Sequence, residues 1–163
     1  MSKLTASYLA GFIDGEGYIA LKVDRSKSNG NLHYVPIIKI AQTDEAIICW
    51  IKESFGGWYY KRESVKDSNH KDSYYWTLTG KNLKPFLQKV YPYLKLKRKQ
   101  CELVLEKIRM QDTLGDELPY KNISRINKQR KQKMKVNTDY RDKRRNRIEM
   151  IYNELRKLNH RGK

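Results

Sequence analysis

The chain has 163 residues, enough for one domain or one domain with an extension. Its 35 Lys and Arg against 18 Asp and Glu give a formal net charge of +17, which calls for a polyanionic partner, and its 39% hydrophobic residues with three Trp can furnish a core. It shows no long apolar run and no signal-peptide pattern, so nucleic acid is expected as the partner and membrane is not.

Residues 8–17, YLAGFIDGEG, begin as a helix. Tyr8, Leu9, Phe12 and Ile13 recur at helical spacing and predict one apolar face, while Ala10, Gly11 and Gly15 leave another face almost bare. A bare face lets a second backbone come close, which offsets the roughly 0.5–1 kcal/mol that glycine costs inside a helix. Thr5 or Ser7 is the expected cap, and Gly15 or Gly17 the expected end. Glu16 is then held on a tight turn between two glycines. That position suits a carboxylate that binds a hard divalent cation better than one that serves solubility.

Tyr18 to Asp24 alternates as a strand, with Ile19, Leu21 and Val23 on one face and Tyr18, Ala20, Lys22 and Asp24 on the other. Asn29-Gly30 predicts a hairpin turn. A second strand follows over His33 to Ala41, and Pro36 within it predicts an edge or a bend. Thr43 or Asp44 caps a helix with the stripe Ala46, Ile47, Trp50, Ile51 and Phe55, ended by Gly56-Gly57. Trp58 to Glu63 and Ser73 to Thr79 read as two more strands across a polar loop. A short helix over Asn82 to Val90 breaks at Pro92, and a longer one spans Leu96 to Met110 with Leu103, Val104 and Ile108 inward. The order α-β-β-α-β-β-α-α predicts an α+β fold, with one sheet face polar and helices on the other.

The charge is uneven. Residues 121–163 hold 16 basic and 4 acidic side chains, net +12, against +5 for residues 1–120. This divides the chain into a domain over 1–120 and a basic helical extension over 121–163. Arg125 to Lys135 and Arg141 to Arg147 are basic and helical in pattern, and Ile148, Ile151, Tyr152, Leu155 and Leu158 give the last helix one apolar stripe. The extension is expected to pack on the domain and turn its basic side to backbone phosphate, which raises affinity without specifying sequence and makes binding salt-dependent. Cys49 and Cys101 lie far apart in apolar patterns and read as buried thiols of an intracellular reducing compartment, an organelle matrix or a prokaryotic cytoplasm. Three scattered His give no zinc pattern.

The run Leu9-Ala10-Gly11-Phe12-Ile13-Asp14-Gly15-Glu16-Gly17 closely resembles the LAGLIDADG motif of homing endonucleases, with Phe for Leu, Gly for Ala and Glu for Asp. Tyr91 to Gln100, YPYLKLKRKQ, looks like the P-(F/Y)-L-x-x-K-x-x-Q block of single-motif members. The resemblance implies the αββαββα LAGLIDADG fold, a saddle-shaped antiparallel sheet whose concave face lies in the DNA major groove. A second motif is not seen, so it also implies a homodimer. The motif helices would cross at the two-fold axis with Ala10, Gly11, Asp14 and Gly15 at the interface and the two Glu16 carboxylates side by side. A C2 dimer implies a pseudo-palindromic target.

The activity so implied is Mg²⁺-dependent, site-specific hydrolysis of double-stranded DNA, with a staggered cut that leaves 3′ overhangs and initiates intron mobility. Glu16 would ligate the metal, with the Gly15 carbonyl as a second ligand; Mn²⁺ or Ca²⁺ suits the same oxygen donors. Lys97 is a candidate for transition-state charge stabilisation or water activation, or else a phosphate-facing lysine. Gln42 falls where the subfamily places a polar residue near the cleaved phosphate, and it orients water or simply starts a helix. Ala46 stands near where some relatives carry an extra basic residue, so the group that replaces it is open. Lys22, Asp24, Lys39, Tyr60, Arg62, Tyr75 and Thr77 occupy the alternate positions turned to the groove, where a good base contact is worth ~1–3 kcal/mol. Lys95, Arg98 and Lys99 would meet phosphate. The alternatives are an RNA-splicing maturase that binds intron RNA and a non-catalytic DNA-binding regulator of the same fold; a retained Glu16 favours metal chemistry.

Overall fold

Chain order is set by where caps and glycines fall. The computed structural model describes residues 1–26, 30–64, 71–117 and 130–160, the last two stretches with side chains at 71–111 and 142–160. Its elements are α1 (Lys3–Glu16), β1 (Gly17–Arg25), β2 (Leu32–Gln42), α2 (Glu45–Phe55), β3 (Trp58–Arg62), β4 (Ser73–Thr79), α3 (Leu83–Val90), α4 (Arg98–Glu117) and α5 (Arg130–Asn159). Short 3₁₀ turns at Gly80–Asn82 and Tyr91–Tyr93 flank α3. The expected α+β order holds. The Lys27–Asn29 part of the hairpin turn, and the side chains of the basic segment 125–135, lie outside the described residues.

The first cap differs from expectation. Ser2, not Thr5 or Ser7, caps α1, its Oγ accepting from Thr5 N–H at 3.1 Å. Ser7 Oγ instead bonds back to the carbonyls of Lys3 and Leu4, as serine inside a helix does. Asp44 caps α2 by accepting from Ala46 N–H at 2.8 Å and Ile47 N–H at 3.4 Å. Gly56, at φ 71°, ends α2 and its N–H donates to the Lys52 carbonyl at 2.8 Å, a left-handed position that glycine fills without a Cβ penalty.

The four strands form one antiparallel sheet in the order β1-β2-β4-β3. Pro36 therefore sits on an interior strand rather than an edge. It is tolerated because β4 pairs with β2 only from Ile37 onward, so at Pro36 the β4 side of β2 has no ladder bond to lose. Cross-strand pairing assigns the two faces. Ile19, Leu21, Ile38, Ile40, Trp76 and Leu78 point to the helices and are buried. Tyr18, Lys22, Asp24, Lys39, Tyr75, Thr77, Trp58, Tyr60 and Arg62 share the opposite face. Fully buried Leu and Ile contribute about 1.5–3 kcal/mol each, so the inward row fixes the register: a slip of one residue would turn that row to water.

Packing of α1 also departs from its sequence reading. Ala6, Leu9, Ala10 and Ile13 form the buried stripe, whereas Tyr8 is exposed. Ala10 thus faces the chain's own core and does not belong to the bare face. Cys101 is buried as expected, but Cys49 is only half-buried, because Ile48 and Ile51 are the α2 residues turned fully inward.

α5 docks across the helix layer. Ile151 and Leu155 are buried in the common core, and the Tyr152 ring lies 5.2 Å from that of Tyr34. Arg147 grips Glu106 of α4 with two bonds, at 2.7 and 2.9 Å. Asn159 Nδ2 donates to the Ile19 carbonyl at 3.0 Å. That bond satisfies a carbonyl on edge strand β1, one way natural sheets cover an edge.

Candidate active site and nucleic-acid interface

The site is built where α1 runs into β1. Glu16 is the last residue of α1 and is exposed, with no hydrogen bond or ion pair to another described residue. Gly17 follows and is buried; a Cβ placed there would come within 2.6 Å of the Ile13 carbonyl. The close turn that presents Glu16 therefore requires glycine for space, since its φ of −81° is one any residue can take.

Asp14 has a different part. Its carboxylate accepts from Lys95 N–H at 2.7 Å and Lys97 N–H at 2.9 Å. The side chain is thus committed to pinning the start of α4 against the end of α1. Lys97 completes the clasp, Nζ donating to the Ile13 carbonyl at 3.0 Å and the Asp14 carbonyl at 2.5 Å. These carbonyls belong to the last helical turn, at the negative end of the helix dipole, and the Ile13 carbonyl also accepts from Gly17 N–H. Burial lowers the Lys97 pKa from its ordinary value, against the opposing pull of the Asp14 and Glu16 carboxylates. The cation therefore lies within electrostatic reach of Glu16.

Gln42 ends β2, two positions past Ile40, the partner of Gly17, so it shares the Glu16 end of the sheet. Its Oε1 accepts from Thr43 N–H at 2.8 Å and Thr43 Oγ at 3.3 Å. Ala46 is exposed on the first turn of α2. Gln100, in the same block as Lys97, is buried with its Oε1 lacking a hydrogen-bond partner.

The outer face of α1 carries Leu4, which is 81% exposed, Tyr8, Gly11 and Gly15. A Cβ at Gly11 or Gly15 would meet nothing within 4 Å. Tyr8 packs edge-on to Trp50, itself exposed. The result is an open apolar strip, flat at the glycines, that ends at Glu16.

All seven sheet residues expected to face the groove share the outward face. Lys22 and Asp24 pair at 2.8 Å. Tyr60 and Tyr75 stack with centroids 4.7 Å apart and planes 3° from parallel. Lys39 and Thr77 are cross-strand neighbours. Trp58, 76% exposed, and Tyr18 belong to the same face and were missed as candidates. The signal was present, since Trp58 has the alternation parity of Tyr60 and Arg62.

The basic run does not act as one patch. Lys95 is exposed beside the end of α1. The Arg98 guanidinium lies over the Tyr91 ring at 4.7 Å and within 3.8 Å of Glu102. Lys99 lies 4.0 Å from both Glu102 and Glu154 of α5. Arg98 and Lys99 are thus engaged within the helix layer, away from the outward sheet face.

One chain does not complete a metal centre. Among the described residues no group of three or more His, Cys, Asp and Glu comes together, and the Asp14 carboxylate is occupied by backbone N–H donors. A hard cation at Glu16 would need oxygens from a second copy, from the Gly15 carbonyl and from a bound phosphate.

These features define the class, an α+β domain whose glycine-faced helix delivers one acid to the end of a polar, aromatic sheet. The sequence matches the LAGLIDADG endonuclease family over residues 9–102, and the chain belongs to that family. Among solved structures it is similar to the homing endonuclease I-CvuI in complex with its target in the presence of Ca, with 26% identity over 70% of this chain and 71% of that one, and a TM-score of 0.57. The archaeal intron-encoded homing endonuclease I-Vdi141I complexed with DNA is 17% identical over 98% of this chain and 87% of that one, with a TM-score of 0.66, a likeness of fold. No curated protein matches significantly.

Proposed function

We propose that this chain is a site-specific DNA endonuclease that works as a homodimer and hydrolyses phosphodiesters with a divalent cation. One observation carries the reading: the open glycine strip of α1 ends at an exposed carboxylate that makes no hydrogen bond or ion pair among the described residues. A second α1 laid on the strip would bring two Glu16 side chains together. Family membership and the structures of I-CvuI and I-Vdi141I bound to DNA support the partner. I-CvuI was solved with Ca or with Mg present, in accord with oxygen donors that suit Mg²⁺, Mn²⁺ or Ca²⁺.

Two copies of Glu16, with the Gly15 carbonyl, would hold the cation. A bound divalent cation neutralises phosphate charge and makes water acidic enough to serve as a nucleophile. Asp14 positions rather than ligates, because both its oxygens accept from the backbone just before α4. Lys97, held beside Glu16, supplies positive charge toward a developing phosphorane. Gln42 orients water or phosphate from the end of β2. The outward face reads bases through Lys22, Asp24, Lys39, Tyr60, Arg62, Tyr75 and Thr77, joined by Tyr18 and Trp58. The domain over 1–120 does the cutting, and the extension over 121–163 adds backbone affinity. A staggered cut with 3′ overhangs and a role in intron mobility follow the family pattern.

Incubation of the protein with randomised duplex DNA tests this reading, first with Mg²⁺ and then with EDTA. Double-strand cuts at a pseudo-palindrome, lost with EDTA, are the expected result. Specific binding with no cutting in any metal would replace it with the regulator or maturase reading, and structured intron RNA would be the next substrate.

A further inference from the structure

A second basic feature lies away from the α1 end. A cleft of about 860 Å³ opens between β2, the Gly80 turn, α4 and α5. His33, Lys81, Lys84, Lys107, Arg144 and Arg145 all contribute to its lining, and among its described lining residues there is no carboxylate. Lys107 is only 3% exposed, an unusual place for a lysine. Arg144 Nε is buried with no hydrogen-bond partner. A buried cation is ordinarily paired, since isolated burial of charge is strongly unfavourable. Besides burial, the described charge that acts on the Lys107 amine is another cation, Arg144.

The walls add a second kind of polar group. From Leu32 to Pro36, β2 extends beyond the reach of β4, so its β4 side has no strand partner where it borders the cleft. Tyr34, Ile108 and Ile148 line it with apolar surface. The volume falls within the range of small-molecule sites, about 300–1,000 Å³, and exceeds what a lone inorganic anion needs.

We propose that this cleft binds the phosphoryl group of a nucleotide unit, held between Lys107 and Arg144, at a site separate from the outward sheet face. The unit is either a free nucleotide or part of a nucleic-acid strand. Burial, with Arg144 beside it, brings the Lys107 amine down to about 8, which an anion in the cleft would reverse. The site stands independently of the endonuclease reading, because none of its residues touches Glu16, Asp14 or Lys97.

The test is the thermal midpoint of the full chain, titrated at constant ionic strength with inorganic pyrophosphate, with ATP, and with a short non-target single-stranded oligonucleotide. Wild type is compared with Lys107→Met, Arg144→Met and, as a control for general basicity, the double variant Lys52→Met/Lys89→Met, which changes two exposed lysines of α2 and α3. The expected result is a saturable rise of several degrees in wild type and the control, with at least a tenfold weaker apparent affinity in either cleft variant. Without added anion, Lys107→Met should melt no lower than wild type, since it removes a buried charge with no carboxylate among the described lining residues. A stronger response to ATP assigns a free nucleotide, and a stronger response to the oligonucleotide assigns a strand. Equal shifts in all four proteins, or no shift in wild type, would overturn the proposal. So would a Lys107→Met that melts lower and an Arg144→Met that responds like wild type.

Discussion

Asp14→Asn separates a positioning carboxylate from a metal-binding one. In the native chain the two oxygens accept two backbone N–H bonds, at 2.7 and 2.9 Å, from residues 81 and 83 positions away. Hydrogen bonds to charged groups contribute about 1.5–3 kcal/mol each. Asparagine keeps one acceptor, loses the charge and turns an NH₂ toward the other N–H. Asp14 is half-buried, so solvent tempers the loss, and we expect a cost of about 2 kcal/mol. For a chain of this size that is roughly 4–8 °C in midpoint. Thermal melting measures it, and amide exchange localises it: Lys95 and Lys97 N–H should lose protection first. Cleavage should fall as well, because the same clasp holds Lys97 beside Glu16. Unchanged stability and exchange, with cleavage abolished, would refute this argument and return Asp14 to the metal or the partner subunit.

Gly11→Leu places a side chain on the bare strip, where its own chain leaves room. It should leave the fold intact while sedimentation shows loss of the dimer and cleavage is lost with it; a dimer that persists would move the interface elsewhere. The Glu106–Arg147 pair makes α5 docking sensitive to acid. Arg147 holds the Glu106 pKa below its ordinary value of 4.5, so the stabilisation is present above that pH and is lost as pH falls through the lower, folded value. Both side chains are about 40% exposed, at 41% and 37%, so solvent screening keeps the contribution near ~0.5–1 kcal/mol. Arg147→Met should remove that acid-dependent part, read by exchange of α5 amides against pH.

Much of the fold was legible because its signals are local. Alternation in β1 and β4, the Asp44 cap and Gly56-Gly57 all act within a few residues. The motif was legible for a related reason: its glycines record a close approach of backbone. What escaped depends on distant partners. The Asp14 clasp joins positions more than 80 apart, and spacing in α1 says nothing about it. Ala10 was misassigned because small residues suit a core as well as a contact face, and only the docking of β1, β2 and α3 decides between them. Lys107 lies at core spacing in α4, three residues from Val104, yet a lysine there reads as surface until α5 covers it. Pro36 reads as an edge until the unequal lengths of β2 and β4 show that an interior strand can be an edge over part of its length.

Glu16→Gln on a selected target tests the central claim most directly, with binding and double-strand cleavage measured side by side in Mg²⁺. Loss of an electrostatic contributor at a reacting centre costs about 100- to 1,000-fold in rate. The account predicts cleavage down by at least about 100-fold, with binding and melting temperature close to wild type, because the Glu16 carboxylate is exposed and makes no hydrogen bond or ion pair among the described residues. Cleavage by the variant at the wild-type rate would show that the acid at the end of α1 does not hold the metal, and the proposed active site would be wrong.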